Sequence, residues 1–474
     1  MSDYRPPVGS IPTLPVPSLD DVGSVHLIGV GGAGMRNLAR LLHARGITVR
    51  GSDIKASKGL DELAEVGAEV WVGHDPARLG SPDVVIISSA IGEADPELRA
   101  ARDRGVPVWA RQQALVALSA GHRSIAVAGT HGKTTTTSMI AVVLDRAGLD
   151  PSYLIGGDMN ESGSGARSGR GDLFLFEADE SDGSFLLTRP HIGVVTNVDV
   201  DHVDFYPGGR EEIEAAFAAF ARGCGTVVAC GDDAGVRSVL ADADAPAVRY
   251  GVDEGNDLVV LVDDLGPSGA AGRIRDVAGD EVVLRLQVDG PHNLLNAAAS
   301  IAVAGLVGIP LADAAAALHE FTGVHRRFEH RGRARGADFF DDYGHTPTEM
   351  AVTIDTARRR APGRLVALVQ PHRYSRVQAL WRELGASVAG ADLVLVTDVY
   401  GAAQEPIPGV TGRLVADGVE LASPTTPVVY LPHRTEVIDY LEREVRPGDL
   451  IVTMGCGDVW MLGDAALERL AGEA

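Results

Sequence analysis

Lysine is almost missing from this chain. Only Lys55, Lys58 and Lys133 occur among 42 basic residues, so arginine carries nearly all the positive charge. A lysine kept in the middle of a Gly/Thr-rich loop, as Lys133 is, therefore points to a need for an ammonium group at that place. Cysteine is as sparse: Cys224, Cys230 and Cys456 form an odd set with no CxxC pair. That argues against a disulfide framework or a zinc site and favours the cytoplasm. No apolar run of about 18 residues occurs, so no membrane-spanning helix is expected. The opening segment lacks a basic stretch followed by an apolar one, so no secretory signal is expected. Its prolines, Pro6, Pro7, Pro12, Pro15 and Pro17, make residues 1–21 read as an extended, disordered lead. Positive charge is also short overall: 42 Lys and Arg stand against 65 Asp and Glu, a formal net charge of −23. Such a surface repels nucleic acid and anionic membranes at long range. Neither is expected as a partner, and an anionic substrate must be caught by local cations or backbone amides.

What is present suits a soluble α/β protein of several domains: 474 residues, 45% hydrophobic and 23% charged. From residue 22 to about 119, Val- and Ile-rich runs ("SVHLIGV", "ITVRGSD", "AEVWVG", "DVVIISSA") alternate with helical spacings ("MRNLARLLHARG", "GLDELAEVG"). This alternation reads as a parallel Rossmann-like sheet with crossover helices. A second α/β unit is expected over 120–324, opened by the strand in "HRSIAVAGTHGKTTTTSMI" and carrying hairpins within 258–290. A third, again Rossmann-like, is expected over 325–474, with strands in "LVALVQPH", "DLVLVTDVY", "PVVYL" and "DLIVTMGCGD".

Three motifs carry chemistry. Gly29-x-Gly31-x-x-Gly34 follows the first strand, and Asp53 ends the second; this is the dinucleotide-type fingerprint. Glycines there let backbone amides approach a diphosphate, so the motif alone does not separate NAD from another nucleotide. "AVAGTHGKTTTT" joins a strand, a glycine loop and a helix. Its amides and helix N-terminus suit phosphate oxygens, Lys133 suits the β/γ-phosphates, and the Thr134 hydroxyl suits Mg²⁺. It is shorter than the strict phosphate loop, with Val127 at the first glycine position. Two acidic clusters follow strands in the same unit: Glu177, Asp179, Glu180 and Asp182, then Asp199, Asp201, His202 and Asp204. Oxygen ligands of this kind suit magnesium beside substrate phosphates.

The phrases "GTHGKTTT", "EADESD", "TNVDVDH", "GPHNLLNAAAS", "HRRFE" and "DDYGHTPTE", in this order, resemble the Mur ligase family, the ATP-dependent amide ligases of peptidoglycan precursor synthesis. "GVGGAGM" and "QPHRYSR" resemble the branch that couples L-alanine to UDP-N-acetylmuramate. The ligase that recycles whole tripeptides is the alternative within the family, and an NAD(P)-dependent dehydrogenase is the alternative outside it. Two departures stand out. Thr346 occupies a position where this branch commonly has a second His, and "RNLA" follows Met35 where small residues are commoner.

The resemblance implies a role for each motif. The UDP sugar is expected at Gly31, Gly32, Ala33, Gly34, Met35, Ser52, Asp53 and Ser89. ATP is expected at Gly129, Thr130, His131, Gly132, Lys133, Thr134 and Thr135, with adenine met by Asn293 or Asn296, unless these only cap a helix. Arg326 and Asp342 are expected to reach ATP as the domains close, and His345 to lie nearby. Magnesium is expected on Thr134, Glu177 and His202. The amino acid is expected at Tyr343, His372, Arg373 and Arg376, where a planar guanidinium can grip a carboxylate. Lys133, Glu177, His202, His345 and Arg376 are the expected catalytic groups. The base that deprotonates the amine is left open among His202, His345 and His372. The protein is expected to act as a monomer or dimer.

Overall fold

A computed structural model describes residues 18–88, 90–202, 205–266, 269–360, 363–402 and 404–472. Most of the Pro-rich lead, Ser89 and Asp204 lie outside the described residues. The described residues form three sheets, each built around parallel strands. They divide into two compact units, with unit one running to Asp263 and taking in Ala271–Gln287 and Pro291–Thr322. Unit two takes in Asp264–Ala270, Val288–Gly290 and the chain from Gly323.

Unit one holds two sheets. In the first, the strands Glu69–Val72, Thr48–Asp53, Ser24–Ile28, Val84–Ile87 and Val108–Ala110 lie side by side in that order, all parallel. The chain order reverses next to Ser24–Ile28, so the Gly29–Gly34 turn opens where ligands bind in such sheets. The helix Ala33–Ala44 returns over the sheet because Met35, Leu38, Ala39, Leu41 and Leu42 recur at helical spacing and are all buried. In the ten-stranded second sheet, Arg123–Ala128 lies between Leu173–Glu177 and Ile192–Val195, all parallel. These central strands are almost wholly apolar because helices cover both faces. The segment expected as hairpins forms the strands Leu258–Gly266, Gly269–Asp276 and Glu281–Arg285 at one edge. One apolar cluster runs from Leu27 and Met35 through Leu115 to Phe185 and Phe217, so the two sheets share a core.

Unit two is a six-stranded sheet. Its order is Glu329–Ala334, Ala337–Asp342, Leu450–Met454, Leu365–Val369, Leu393–Val396 and Val428–Tyr430, with only the first pair antiparallel. The helices Tyr374–Val388 and Arg413–Ala422 pack so closely that a Cβ on Gly385 would overlap the backbone of Gly418 and Val419.

That contact makes a test of the packing. Gly385→Ala gains up to about 1 kcal/mol of helix propensity, whereas forcing the helices apart costs about 1–3 kcal/mol. The expected outcome is a lower urea midpoint for unit two; an equal or higher midpoint would show that this crossing gives way.

Candidate active site

The loop between Ala128 and Lys133 is held from one side by the next strand over. Thr196 Oγ1 and Asn197 Nδ2 both donate to the His131 carbonyl, at 2.6 and 2.9 Å, and Asn197 Oδ1 accepts from the His131 amide at 2.8 Å. The Asp199 amide donates to Thr130 Oγ1 at 2.9 Å. Gly129 (φ +133°) and Gly132 (φ +81°) take left-handed backbone conformations that favour glycine. A Cβ on Gly129 would overlap the Thr196 hydroxyl, and one on Gly132 would stand 2.9 Å from Asn296 Oδ1. Gly132 then caps the helix Lys133–Arg146, with Thr135 in its first turn. The amide end of that helix faces the mouth of the loop, where anions are favoured. The "TNVD" segment thus ties the loop down. Its Asp199 lies 3.4 Å from His131 Nε2, within the loop's support, rather than standing alone as a metal ligand.

Carboxylates surround the lysine. Lys133 Nζ donates to both oxygens of Glu180, at 2.9 and 2.8 Å, and to the Gly129 carbonyl at 2.6 Å. Burial alone would push this ammonium down, but Glu180, Asp179 and Glu177 outweigh it and hold the pKa above the ordinary lysine value. Lys133 therefore stays charged across the neutral range. Thr134 Oγ1 lies 3.2 Å from Glu177 Oε2, while Glu177 Oε1 accepts from the Gly156 amide at 2.6 Å. A hydroxyl and a carboxylate side by side at a phosphate loop are the hard oxygen donors that magnesium prefers, so these residues fit that ion. His202 Nε2 lies 3.9 Å from Glu180 Oε1, the lysine's partner, and 3.5 Å from Asp201 Oδ2. Asn293 and Asn296 lie on the helix Pro291–Leu306. Asn296 accepts from Thr136 Oγ1 at 3.2 Å and donates to Asn293 Oδ1 at 3.1 Å, so the pair buttresses the phosphate-loop helix.

At the other glycine turn, Asp53 Oδ2 accepts from the Gly31 amide at 2.9 Å, which sets the shape of the turn. Gly32 and Ala33 are exposed, and Gly31 and Gly34 are half-buried. Two residues expected on the sugar nucleotide point elsewhere. Met35 is buried in the core, and Ser52 is fully buried, donating to Glu97 at 2.5 Å. Glu97 also meets His26 Nε2 at 2.8 Å, so Ser52 belongs to a buried polar group beneath the strand. The unusual "RNLAR" stretch docks this helix on the second sheet's domain. Arg36 pairs with Asp158 at 2.8 Å, Asn37 donates to the Ile155 carbonyl at 3.0 Å, and Arg40 donates to Ser164 at 3.0 Å. The sequence reading had not singled out Arg111. Its guanidinium lies 2.6 Å from where a Gly34 Cβ would stand and 3.6 Å from Asp179 Oδ2, between the glycine turn and the acidic loop.

Unit two gathers the remaining candidates. Arg326 is paired with Asp341 at 2.9 Å and donates to the carbonyls of Gly455 and Gly457. Asp342 accepts from the amides of Phe328 and Gly344, at 2.8 and 2.7 Å. Both side chains hold neighbouring loops in shape. "HTPTE" is a capping box: Thr346 Oγ1 accepts from the Glu349 amide and Glu349 Oε2 from the Thr346 amide, starting the helix Pro347–Arg360. Thr346 therefore has a local reason to be there, and the S/T-x-x-E spacing was readable in advance. Tyr343 lies under the guanidinium groups of Arg326 and Arg327, each 5.0 Å from the ring, and burial pushes its hydroxyl up to about 12. Arg376 is buried, with Nη1 3.0 Å from His372 Nδ1. His372 meets His345 edge-on and stacks on Tyr400, while the Arg373 amide donates to the Tyr400 carbonyl. Tyr343, His345, His372 and Arg376 thus converge at one end of the third sheet.

Comparison with known proteins gives this arrangement its context. The model described as "Mur ligase family, catalytic domain" matches residues 24–123, "Mur ligase middle domain" matches 127–304, and "Mur ligase, glutamate ligase domain" matches 326–457. A UDP-N-acetylmuramate–L-alanine ligase from Kineococcus radiotolerans is 47% identical over 461 residues, covering 95% of this chain and 97% of that protein. Among solved structures, the UDP-N-acetylmuramate–alanine ligase of Thermotoga maritima superposes with a TM-score of 0.82 at 27% identity, over 95% of this chain and 100% of the other. A murein peptide ligase from Psychrobacter arcticus superposes at 0.73 with 25% identity, over 94% and 98%.

The "HRRFE" loop yields a prediction in acid. Burial alone would raise the Glu329 carboxyl, but the His325 hydrogen bond, the Arg326 amide and the Arg331 charge outweigh it and lower the pKa from 4.5 to about 2. A depressed carboxylate stabilises the fold above its unfolded pKa and loses that contribution as pH falls through the folded one. Glu329→Gln is therefore expected to be less stable than the parent at pH 7 by about 1–3 kcal/mol, with the gap closing between pH 4.5 and about 2. Denaturant melts across that window check it, and a constant gap would contradict it.

Proposed function

The chain belongs to the Mur ligase family, and we propose that it joins L-alanine to UDP-N-acetylmuramate at the expense of ATP, giving ADP and phosphate in peptidoglycan precursor synthesis. Family membership sets aside the dehydrogenase reading of the Gly29–Gly34 turn, which on this account receives the UDP diphosphate. The observation that carries the proposal is the Lys133 ammonium at the start of the loop helix, beside the Thr134 hydroxyl and the Glu177 carboxylate. High identity to a named alanine ligase favours a single amino acid over a recycled tripeptide. Among the described residues no helix is long and apolar enough to cross a membrane, in keeping with a cytoplasmic enzyme acting on soluble precursors.

A carboxylate does not react with an amine at neutral pH. The muramate carboxylate attacks the γ-phosphorus of ATP, ADP leaves, and the acyl phosphate formed carries a good leaving group. The alanine amine attacks its carbonyl carbon, the tetrahedral intermediate collapses, and phosphate departs. The first step brings two anions together, and Lys133 offsets their repulsion with its fixed charge and position. The loop amides between Gly129 and Thr135 and the helix terminus hold the phosphates. Thr134 and Glu177, with His202 near by, would hold magnesium, which when bound supplies further positive charge at the phosphate oxygens. Arg376 grips the alanine carboxylate, while Tyr343, His372 and Arg373 line the pocket. His202, His345 and His372 remain the candidates for the base that frees the amine. Arg326 and Asp342 act at one remove, by fixing the loops around that pocket.

The test is ADP release with UDP-N-acetylmuramate and single amino acids. Release with L-alanine is expected, and release only with a tripeptide would favour the recycling ligase. Lys133→Ala should be less stable than the parent, since it strands the Glu180 carboxylate, and, assayed where circular dichroism shows it folded, should lose turnover by about 10²–10³-fold, the usual scale for one preorganised electrostatic contact. Arg376→Ala should raise the KM for alanine more than that for ATP; equal rises would remove its carboxylate role.

A further inference from the structure

Among the described residues, a group of metal-binding side chains stands together in unit two. One ring nitrogen each of His345 and His372 and the Cys456 sulfur all lie within 4.8 Å of one another, and the three residues are half-buried. They follow the strands Ala337–Asp342, Leu365–Val369 and Leu450–Met454, which are adjacent and parallel in the sheet. The cluster is therefore built on three neighbouring strand ends, a rigid base for a site. We propose that His345, His372 and Cys456 bind a soft divalent cation of the zinc class, and that the bound ion shuts out the amino acid. The second half of the proposal rests on the reading of Arg376 and His372 as the amino-acid pocket.

Two imidazoles and one thiolate are a donor set for zinc, not for magnesium, which prefers oxygen. Bond lengths of about 2.0–2.3 Å bring tetrahedral ligand atoms to roughly 3.3–3.7 Å apart, so the cluster needs to contract by about 1 Å, within reach of side-chain rotation. His345 Nδ1 lies 3.1 Å from the Tyr343 carbonyl and 3.4 Å from a Glu349 oxygen. A carbonyl and a carboxylate beside the ring can fix its orientation, as partners of metal-binding histidines do. The Cys456 thiol gives up its proton as the ion binds. Arg376 Nη1 faces His372 Nδ1 at 3.0 Å. A cation held by His372 therefore repels or displaces the guanidinium that grips the carboxylate.

Cobalt(II) titrated into the full-length protein is the probe, because a thiolate ligand gives a near-ultraviolet charge-transfer band. The band is expected, zinc should abolish it, and Cys456→Ser should lose it while Cys224→Ser and Cys230→Ser keep it. No band, or one that survives Cys456→Ser, overturns the site. In the ADP-release assay, zinc at ten times its dissociation constant should raise the KM for alanine about tenfold, with that for ATP unchanged, as mass action requires. Cys456→Ala should ligate normally without zinc and resist it. A band lost on substitution but no effect of zinc on the alanine KM would leave the metal site standing and overturn the amino-acid reading of this pocket.

Discussion

A lysine ammonium held among three carboxylates is the constraint around which unit one is arranged. Taking a charge out of water is costly, and only close opposite charges with good hydrogen bonds offset it. Glu180 and the Gly129 carbonyl supply those contacts, and Asp179 and Glu177 add field. The same carboxylates keep Lys133 charged and offer oxygen donors of the kind magnesium prefers. The loop can present this group only because Thr196 and Asn197 fix the His131 peptide from the neighbouring strand and Asn296 fills the space behind Gly132.

Each sheet repeats one arrangement: candidate site residues sit just past the C-terminal ends of adjacent parallel strands. In the first sheet Asp53 shapes the glycine turn from the next strand. In the second, Glu177 and Thr196 flank the phosphate loop from either side. In the third, His345, His372 and Cys456 meet past three neighbouring strands. The first two sheets share a core, and Arg36, Asn37 and Arg40 pin one helix across them, so the two nucleotide-type turns belong to one compact unit.

Much of this was legible in the sequence. Buried parallel strands read as short runs rich in Val, Ile and Leu, as in Val84–Ile87, Leu365–Val369 and Leu393–Val396, because both their faces are covered. Ala337–Asp342 did not, since it ends in two aspartates that are buried only because Arg326 and backbone amides receive them. Short strands such as Ser152–Leu154 are too brief to carry a period. The phosphate loop was readable because glycine, lysine and threonine must follow one another directly. Individual roles were harder to read. Nothing local distinguishes an Asp199 that braces a loop from one that holds a metal, or a Ser52 turned toward Glu97 from one turned outward. The histidine–cysteine cluster was invisible, because strand order alone brings its members together from distant parts of the chain.

The proposed function requires Lys133 to meet the phosphates of the nucleotide. The most direct measurement is a crystal structure with a non-hydrolysable ATP analogue and magnesium. The account predicts Nζ of Lys133 within hydrogen-bond distance of a β- or γ-phosphate oxygen, with the metal on Thr134 and Glu177. A bound nucleotide elsewhere, with Lys133 still paired to Glu180 alone, would contradict it.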